Sequence, residues 1–595
     1  MQNRYKYQRL DTPSSFRLLR IEQPDDTNPL CHYSLIQTTL DQARPYEALS
    51  YVWGKGGRSE TLKLKDGKLL SITELLKEAL PSVERQRSTE YLWIDQICID
   101  QDDRIERVHQ VKLMGQIYTS CSRVLVWLGR VTKFDDELSL ADNLVQSQSS
   151  KNSIMKSFIH RLRNVTGSGG TSGILQSEWF QRAWVFQEVV LPPSALFILA
   201  TMSAHPHQAH TISFSELYAN VNLQAMNIDG ADEVVKTIRI MYRRYSEQRR
   251  KNGPHSPIEH TLSLLAPQAK TSEQLDQLYA FFGLNFDTCI NLTPSYESSL
   301  EVAMVNTATS IIEGTCSLDL FEVIPRAVEN TVNNVRIPTW TPDFREEHLV
   351  VPFKRSNFDF RQLAKSSPKL CPLFIPAHIT FYRGTVFCAG EEKRMIEAHG
   401  FVLDHVDTKI GTLPSRTTLG TGIDIHLNVL LKHSTKAWNE IKRSVEHKDS
   451  SMPRYKHKSA RLAEFTADLG FAPPPTMGGL RRALAAEGYC ALNYEHLLSE
   501  STENVSSKER TMMQVMGGRT LWMTRSGRFA LGSYLHSGDH ICLAYGCSNP
   551  IALRGEHEMT KVLGTCFLEG WMDPWSNRNI ERAEKSFACT VFYII

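Results

Sequence analysis

The sequence predicts a multidomain α/β protein whose amino-terminal part, residues 15–200, is a mainly parallel sheet with helices on both faces. Two observations lead there. Over the first 200 residues, short β-rich runs alternate with helical ones, and strands separated by helices imply the crossovers that a parallel sheet needs. The chain has 595 residues, too many for one core; at about 150 residues per domain it should hold three or four.

The elements follow in order. "CHYSLIQTTL" reads as a strand, and "YEALSYVWG" as a second one that ends in the glycine-rich turn "GKGGR". "ITELLKEAL" has helical spacing. "YLWIDQICI" resumes a short apolar run, and Asp102 or Asp103 can cap a helix on which Ile105, Val108, Val111, Met114 and Ile117 recur. "RVLVWLG" is another strand. The central strands should include Ala48–Val52, Leu92–Ile94 and Val124–Trp127. Residues 163–173, "RNVTGSGGTSG", form a loop that could gate a site before a helix at Trp179–Val190. Residues 201–345 are mostly helical in pattern, 346–510 read as a variable helical and linker region, and 511–595 as a small β domain.

Lys+Arg 67 against Asp+Glu 65 leaves a net charge of +2, which argues for neither nucleic acid nor an anionic membrane as partner. The one basic stretch, about residues 432–461, fits a solvated linker. No apolar run is long enough to span a bilayer and the amino terminus has no signal-peptide pattern, so a cytoplasmic protein is expected. The 12 cysteines are scattered, often within apolar runs, which suits free thiols in a reducing compartment.

Ligands of open α/β sheets bind beyond the carboxyl ends of the strands, which draws attention to the "SYVWGKGG" turn (Ser50, Tyr51, Trp53, Gly54) and the "DQICIDQ" run (Asp95, Asp100, Gln101). The same residues also fit a structural reading, with Trp53 in a core, Gly54 permitting a turn, and both aspartates capping. Glu188 stands out within "WFQRAWVFQEVV", because a carboxylate among aromatic and apolar side chains must be paired, neutralised or used. Neither G-x-x-x-x-G-K-[ST] nor G-x-S-x-G occurs, which argues against a P-loop ATPase and a nucleophile-elbow hydrolase. "HPHQAH" (His205, His207, His210) lacks nearby cysteines or carboxylates, and no metal site is expected there.

"YEALSYVWG", "YLWIDQICIDQDDRIERVHQVKLMGQIYTSCSRVLVWLG" and "WFQRAWVFQEVVL" resemble, in order and spacing, the three blocks of the fungal heterokaryon-incompatibility (HET) domain. Downstream, "LDQLYAFFGL" departs from that family's usual Arg-Asp pair, having Leu275 before Asp276. HET domains are thought to be distant relatives of TIR domains, and the resemblance therefore implies a flavodoxin-like fold and cleavage of NAD as a substrate, with no resident cofactor. Trp184 and Glu188 reproduce the W-x-x-x-E spacing that carries the TIR catalytic glutamate. On this reading Glu188 is catalytic, and Ser50, Tyr51, Trp53, Gly54, Asp95, Asp100, Gln101 and Trp184 contribute to the substrate site. The alternative is a non-enzymatic signalling or self-association module in which Glu188 pairs with a buried arginine such as Arg182.

Overall fold

The three runs read as central strands are strands because they are buried on both faces. β3 (Tyr46–Ser50), β6 (Tyr91–Trp93) and the first half of β7 (Val124–Val131) present no exposed residue, the continuous burial that a parallel sheet demands. The computed structural model describes residues 3–22, 32–131, 178–201, 209–224, 232–250, 256–324, 337–346, 360–376, 394–412, 519–556, 559–568, 571, 575 and 577–595. The glycine-rich run 163–173, the basic stretch 432–461, His205, His207 and most of 346–510 lie outside these residues.

The described chain divides into two units, the first comprising Met1–Thr261, Gln268–Phe286 and Thr293–Glu297. Its seven-stranded sheet has the order β2-β1-β6-β3-β7-β8-β9, with β1 at Ser15–Glu22, β2 at His32–Thr39, β8 at Ala195–Thr201 and β9 at Ala209–Ser213. The four central strands, β6-β3-β7-β8, run parallel. The pairings outside them are antiparallel: β1 with both β2 and β6, and β8 with β9. A hairpin, β4 (Glu60–Lys63) with β5 (Leu69–Ile72), stands apart from this sheet.

Side-chain alternation along the strands assigns the two faces. Leu49, Leu92 and Leu125 share a core with Leu76, Ala79, Leu80 and Val83 of α1 (Glu74–Gln86), which Thr73 caps by accepting from the Leu76 N–H. On the other face, Trp93 meets Tyr118 of α3 (Arg104–Ser120) edge to face, and the Tyr46 hydroxyl donates to the Ile117 carbonyl at 2.6 Å. Asp103 caps α3 by accepting from the Ile105 and Glu106 N–H groups. The apolar stripe expected on this helix is corrected, because three-residue steps rotate steadily off one face. The buried side is Gln110, Met114, Ile117 and Tyr118, and Ile105 is 83% exposed.

The second unit comprises Leu262–Pro267, Asp287–Leu292 and Ser298–Ile595. Its nine-stranded sheet is built on one long strand, β11 (Arg394–Thr412). This strand pairs antiparallel with β10 (Leu373–Pro376), β12 (Thr520–Thr524), β14 (His540–Ala544) and β18 (Cys589–Ile594). Since β14 continues through β15 (Ile551–Glu556) and β16 (Met559–Thr565) to β18, the ladder closes into a ring through β11.

Candidate functional site

Ser50 ends β3 and Asp95 opens the short helix α2 (Asp95–Cys98) just past β6, so both stand at the carboxyl edge of the parallel strands. Glu188 reaches the same edge from α4 (Val185–Val190), the helix that precedes β8. The predicted Trp179–Val190 helix is broken in two: Glu178–Gln181 form a 3-10 turn and α4 begins only after Trp184.

The Ser50 hydroxyl donates to the Glu188 carboxylate and accepts from the Trp179 indole N–H at 2.8 Å. Ser50 is 1% exposed and Glu188 2%. Among the described residues, Ser50 is the one hydrogen-bond donor that reaches the Glu188 carboxylate. Arg182, named as a possible partner of Glu188 in the structural alternative, does not form that ion pair. Its guanidinium donates to the Tyr51 carbonyl and acts on Glu188 only through its field. Burial pushes the Glu188 carboxyl up, opposed by the Arg182 charge and the Ser50 hydrogen bond.

Asp95 is the second acid of the cluster. It is half-buried, accepts from the Trp53 indole N–H at 3.0 Å and 3.2 Å, and takes the Gln96 backbone N–H at 2.7 Å. Burial, and then the Glu188 charge, raise its carboxyl to about 6, against the pull of Arg182. The Tyr51 ring is buried between these charges, and its hydroxyl has no hydrogen-bond partner. Exposure rises along the turn that leaves β3: Tyr51 is buried, Val52 and Trp53 half-buried, and Gly54–Gly57 open. Gly54 has φ +80°, and a Cβ there would stand 2.9 Å from the Leu75 side chain, so only glycine fits the turn without strain.

Ser50, Tyr51, Asp95 and Glu188 are therefore brought together, with Trp53 against Asp95. Gln101 supports the group from behind, its side-chain amide donating to the Asp95 carbonyl at 2.9 Å. Asp100 caps its own turn by accepting the Asp102 N–H. Trp184 turns away from Glu188, and its indole donates to Asp276 at 3.1 Å, where Tyr296 also donates at 2.6 Å. One contributor was not given its role from sequence, Trp179 as donor to Ser50; Arg182 was named as a partner of Glu188 and stands as the cation of the cluster without the ion pair. The aromatic spacing around Glu188 was visible, but which indole would turn inward was not.

A contrast within the same unit gives the Glu188 environment its meaning. Glu47, on β3 and fully buried, accepts from the Ser88 backbone and hydroxyl, the Thr89 backbone and the Arg123 guanidinium. That is how a structural carboxylate is saturated. Glu188, equally enclosed, has one hydroxyl. No cluster of three or more metal-ligating side chains occurs among the described residues, and no described helix is long and apolar enough to cross a membrane.

Residues 46–188, from the first residue of β3 to Glu188 itself, match the family described as heterokaryon incompatibility protein (HET). Over 113 residues the chain is 40% identical to "Heterokaryon incompatibility protein 6, OR allele" of Neurospora crassa. That alignment covers 17% of this chain and 16% of that protein, so it concerns about one sixth of the relative's length. No solved structure matches.

Proposed function

Because the chain is a heterokaryon-incompatibility domain protein, we propose that it serves fungal nonself recognition in the cytoplasm, triggering cell death through TIR-like cleavage of NAD. The observation that carries this reading is the under-saturated Glu188 carboxylate at the carboxyl edge of the parallel strands, beside a second acid, Asp95. Counted by order of appearance, the parallel strands lie 2-1-3-4, which agrees with a flavodoxin-like sheet as far as the fourth strand. In such sheets the ligand crevice lies where strand order reverses, here between β3 and β7.

The chemistry suits this arrangement. Nicotinamide leaves NAD as a neutral base, so the reaction needs no general acid, unlike an ordinary glycoside. Water adds to the ribose carbon as the C–N bond breaks, giving nicotinamide, ADP-ribose and a proton. A Glu188 carboxylate would stabilise the oxocarbenium-like transition state, with Ser50 fixing its orientation. Asp95, with its carboxyl near 6, is the group suited to take the proton from the attacking water. Trp53 and the open Gly54–Gly57 turn form the approach, and Arg182 supplies a cation for phosphate.

The 2% exposure of Glu188 favours a second reading, a non-enzymatic module in which the Ser50, Trp179 and Glu188 contacts hold the domain together for self-association. One experiment separates the two. Nicotinamide release by purified protein is measured for wild type and Glu188→Gln, alongside their melting temperatures. The enzymatic reading expects turnover in wild type, a loss of about 10²-fold or more in the variant, and an unchanged fold. A wild type that never consumes NAD across a range of protein concentrations leaves only the module.

A further inference from the structure

The first unit contains a cavity of about 820 Å³ that Glu188 does not line. Its floor is one face of α6 (Asp232–Gln248; α5 is Phe214–Gln224), where Arg239, Tyr242, Arg243 and Glu247 recur at three- and four-residue steps, with Arg250 just beyond the helix end. Tyr218 of α5 stacks on Tyr242 with ring centroids 3.8 Å apart and planes 9° from parallel. His260 also lines the cavity.

The described charged side chains lining this groove are mostly arginines. The carboxylate lining it, Glu247, is already held by four donors: Arg243 at 3.1 Å, Arg244 at 3.0 Å, and the Ser256 hydroxyl and N–H at 2.6 Å and 3.2 Å. Arg244 is itself buried and tied to the Ser256 carbonyl at 2.6 Å, and Glu259, also buried, acts on it. Among the described side chains that line the groove, the arginines are Arg239, Arg243 and Arg250 and the carboxylate is Glu247. The hub at Glu247 fixes the helix face and the chain at Ser256 relative to each other, so the cationic wall is organised before any ligand arrives.

We propose that this groove binds a nucleoside polyphosphate, with guanidinium groups of Arg239, Arg243 and Arg250 on the phosphates and the Tyr218–Tyr242 stack beside the base. Guanidinium forks match phosphate oxygens two at a time, aromatic faces stack on bases, and the volume falls in the range of small-molecule sites. The inference is independent of the Glu188 chemistry, since the two sets of residues do not overlap.

The test is calorimetric titration of the full chain with ATP, without added divalent cation, and separately with inorganic tripolyphosphate and a polyglutamate peptide. ATP should bind, more tightly than tripolyphosphate, with affinity that falls as salt rises. Arg250→Glu should weaken ATP binding at least about tenfold, the scale of one charge-assisted contact. Because Arg250 is exposed, this variant should keep the wild-type melting temperature. Arg239→Gln provides a second, milder variant that should lower affinity in the same direction. Absence of ATP binding to wild type at millimolar concentration, unchanged affinity in Arg250→Glu, or polyglutamate binding as tightly as ATP would overturn the proposal, the last in favour of an acidic protein partner.

Discussion

Replacing Asp95 by Asn should stabilise the first unit at neutral pH and leave its stability unchanged in acid. The carboxyl is raised from 3.8 to about 6, by burial first and the Glu188 charge second. A folded-state value above the unfolded one means that the folded protein holds the proton more tightly. The destabilisation is therefore absent below about 3.8, grows as pH rises between 3.8 and about 6, and is complete above that. The displacement corresponds to at most about 3 kcal/mol at neutral pH. Solvent contact at the half-buried carboxylate screens the charge and brings the expected gain to roughly 1–2 kcal/mol. Asn mimics the neutral acid and keeps an oxygen for the Trp53 and Gln96 N–H groups. For a unit of this size the melting transition should rise by roughly 2–8 °C in Asp95→Asn at neutral pH. Scanning wild type and variant from acid to neutral pH measures this directly: the curves should converge in acid and part as pH rises. A constant offset at every pH, or a variant less stable at neutral pH, refutes the argument that Asp95 is held against its charged form.

Two further outcomes follow from the same geometry. Ser50→Ala removes the donor to Glu188 and the acceptor of the Trp179 indole together, and should cost about 1–3 kcal/mol by chemical denaturation; if the variant matches wild type, the hydroxyl does not join the two. Gly54→Ala forces a Cβ into a left-handed turn against Leu75 and should lower stability by about 1–3 kcal/mol, which thermal melting will detect, and an unchanged melting temperature would show that the turn relaxes freely.

The parts of the fold that were legible in the sequence are those in which local pattern and burial coincide. "YLW" and "VLVW" are continuous apolar runs because each is covered on both faces, and "YEALS" is buried throughout although it carries Glu47 and Ser50. The sequence reading did not identify β1, "SFRLLRIE", as a strand. It carries Arg17, whose buried guanidinium is met by Glu106 at 2.6 Å, a partner 89 residues away, and by the Cys98 and Gln8 carbonyls. Strand direction was equally hidden: alternation identifies β2 as extended but says nothing about its running antiparallel to β1. At the site, Ser50, Asp95 and Glu188 were located because strand ends and an out-of-place carboxylate leave marks in sequence. Trp184 was expected beside Glu188 because i and i+4 share a helix face; it is the residue that caps α4, and Asp276 captures its indole, a partner 92 residues away that local spacing cannot show.

The ring built on β11 also bears on the timing of synthesis. Every residue of the first unit has been made by Glu297, whereas β11 must wait for β18, which ends at Ile594, before its ladder closes. At about 5–20 residues per second the ribosome needs roughly 9–36 s to go from the end of β11 at Thr412 to Ile594. For this interval the nascent chain carries a complete α/β unit followed by a long strand that can pair with β10 while β12, β14 and β18 are still being made. Exposed strand edges are the surfaces that recruit other chains. A stalled or prematurely terminated translation product would thus keep the heterokaryon-incompatibility domain while leaving a sticky edge behind it, a species in which chaperone engagement, rather than thermodynamic stability, decides the outcome.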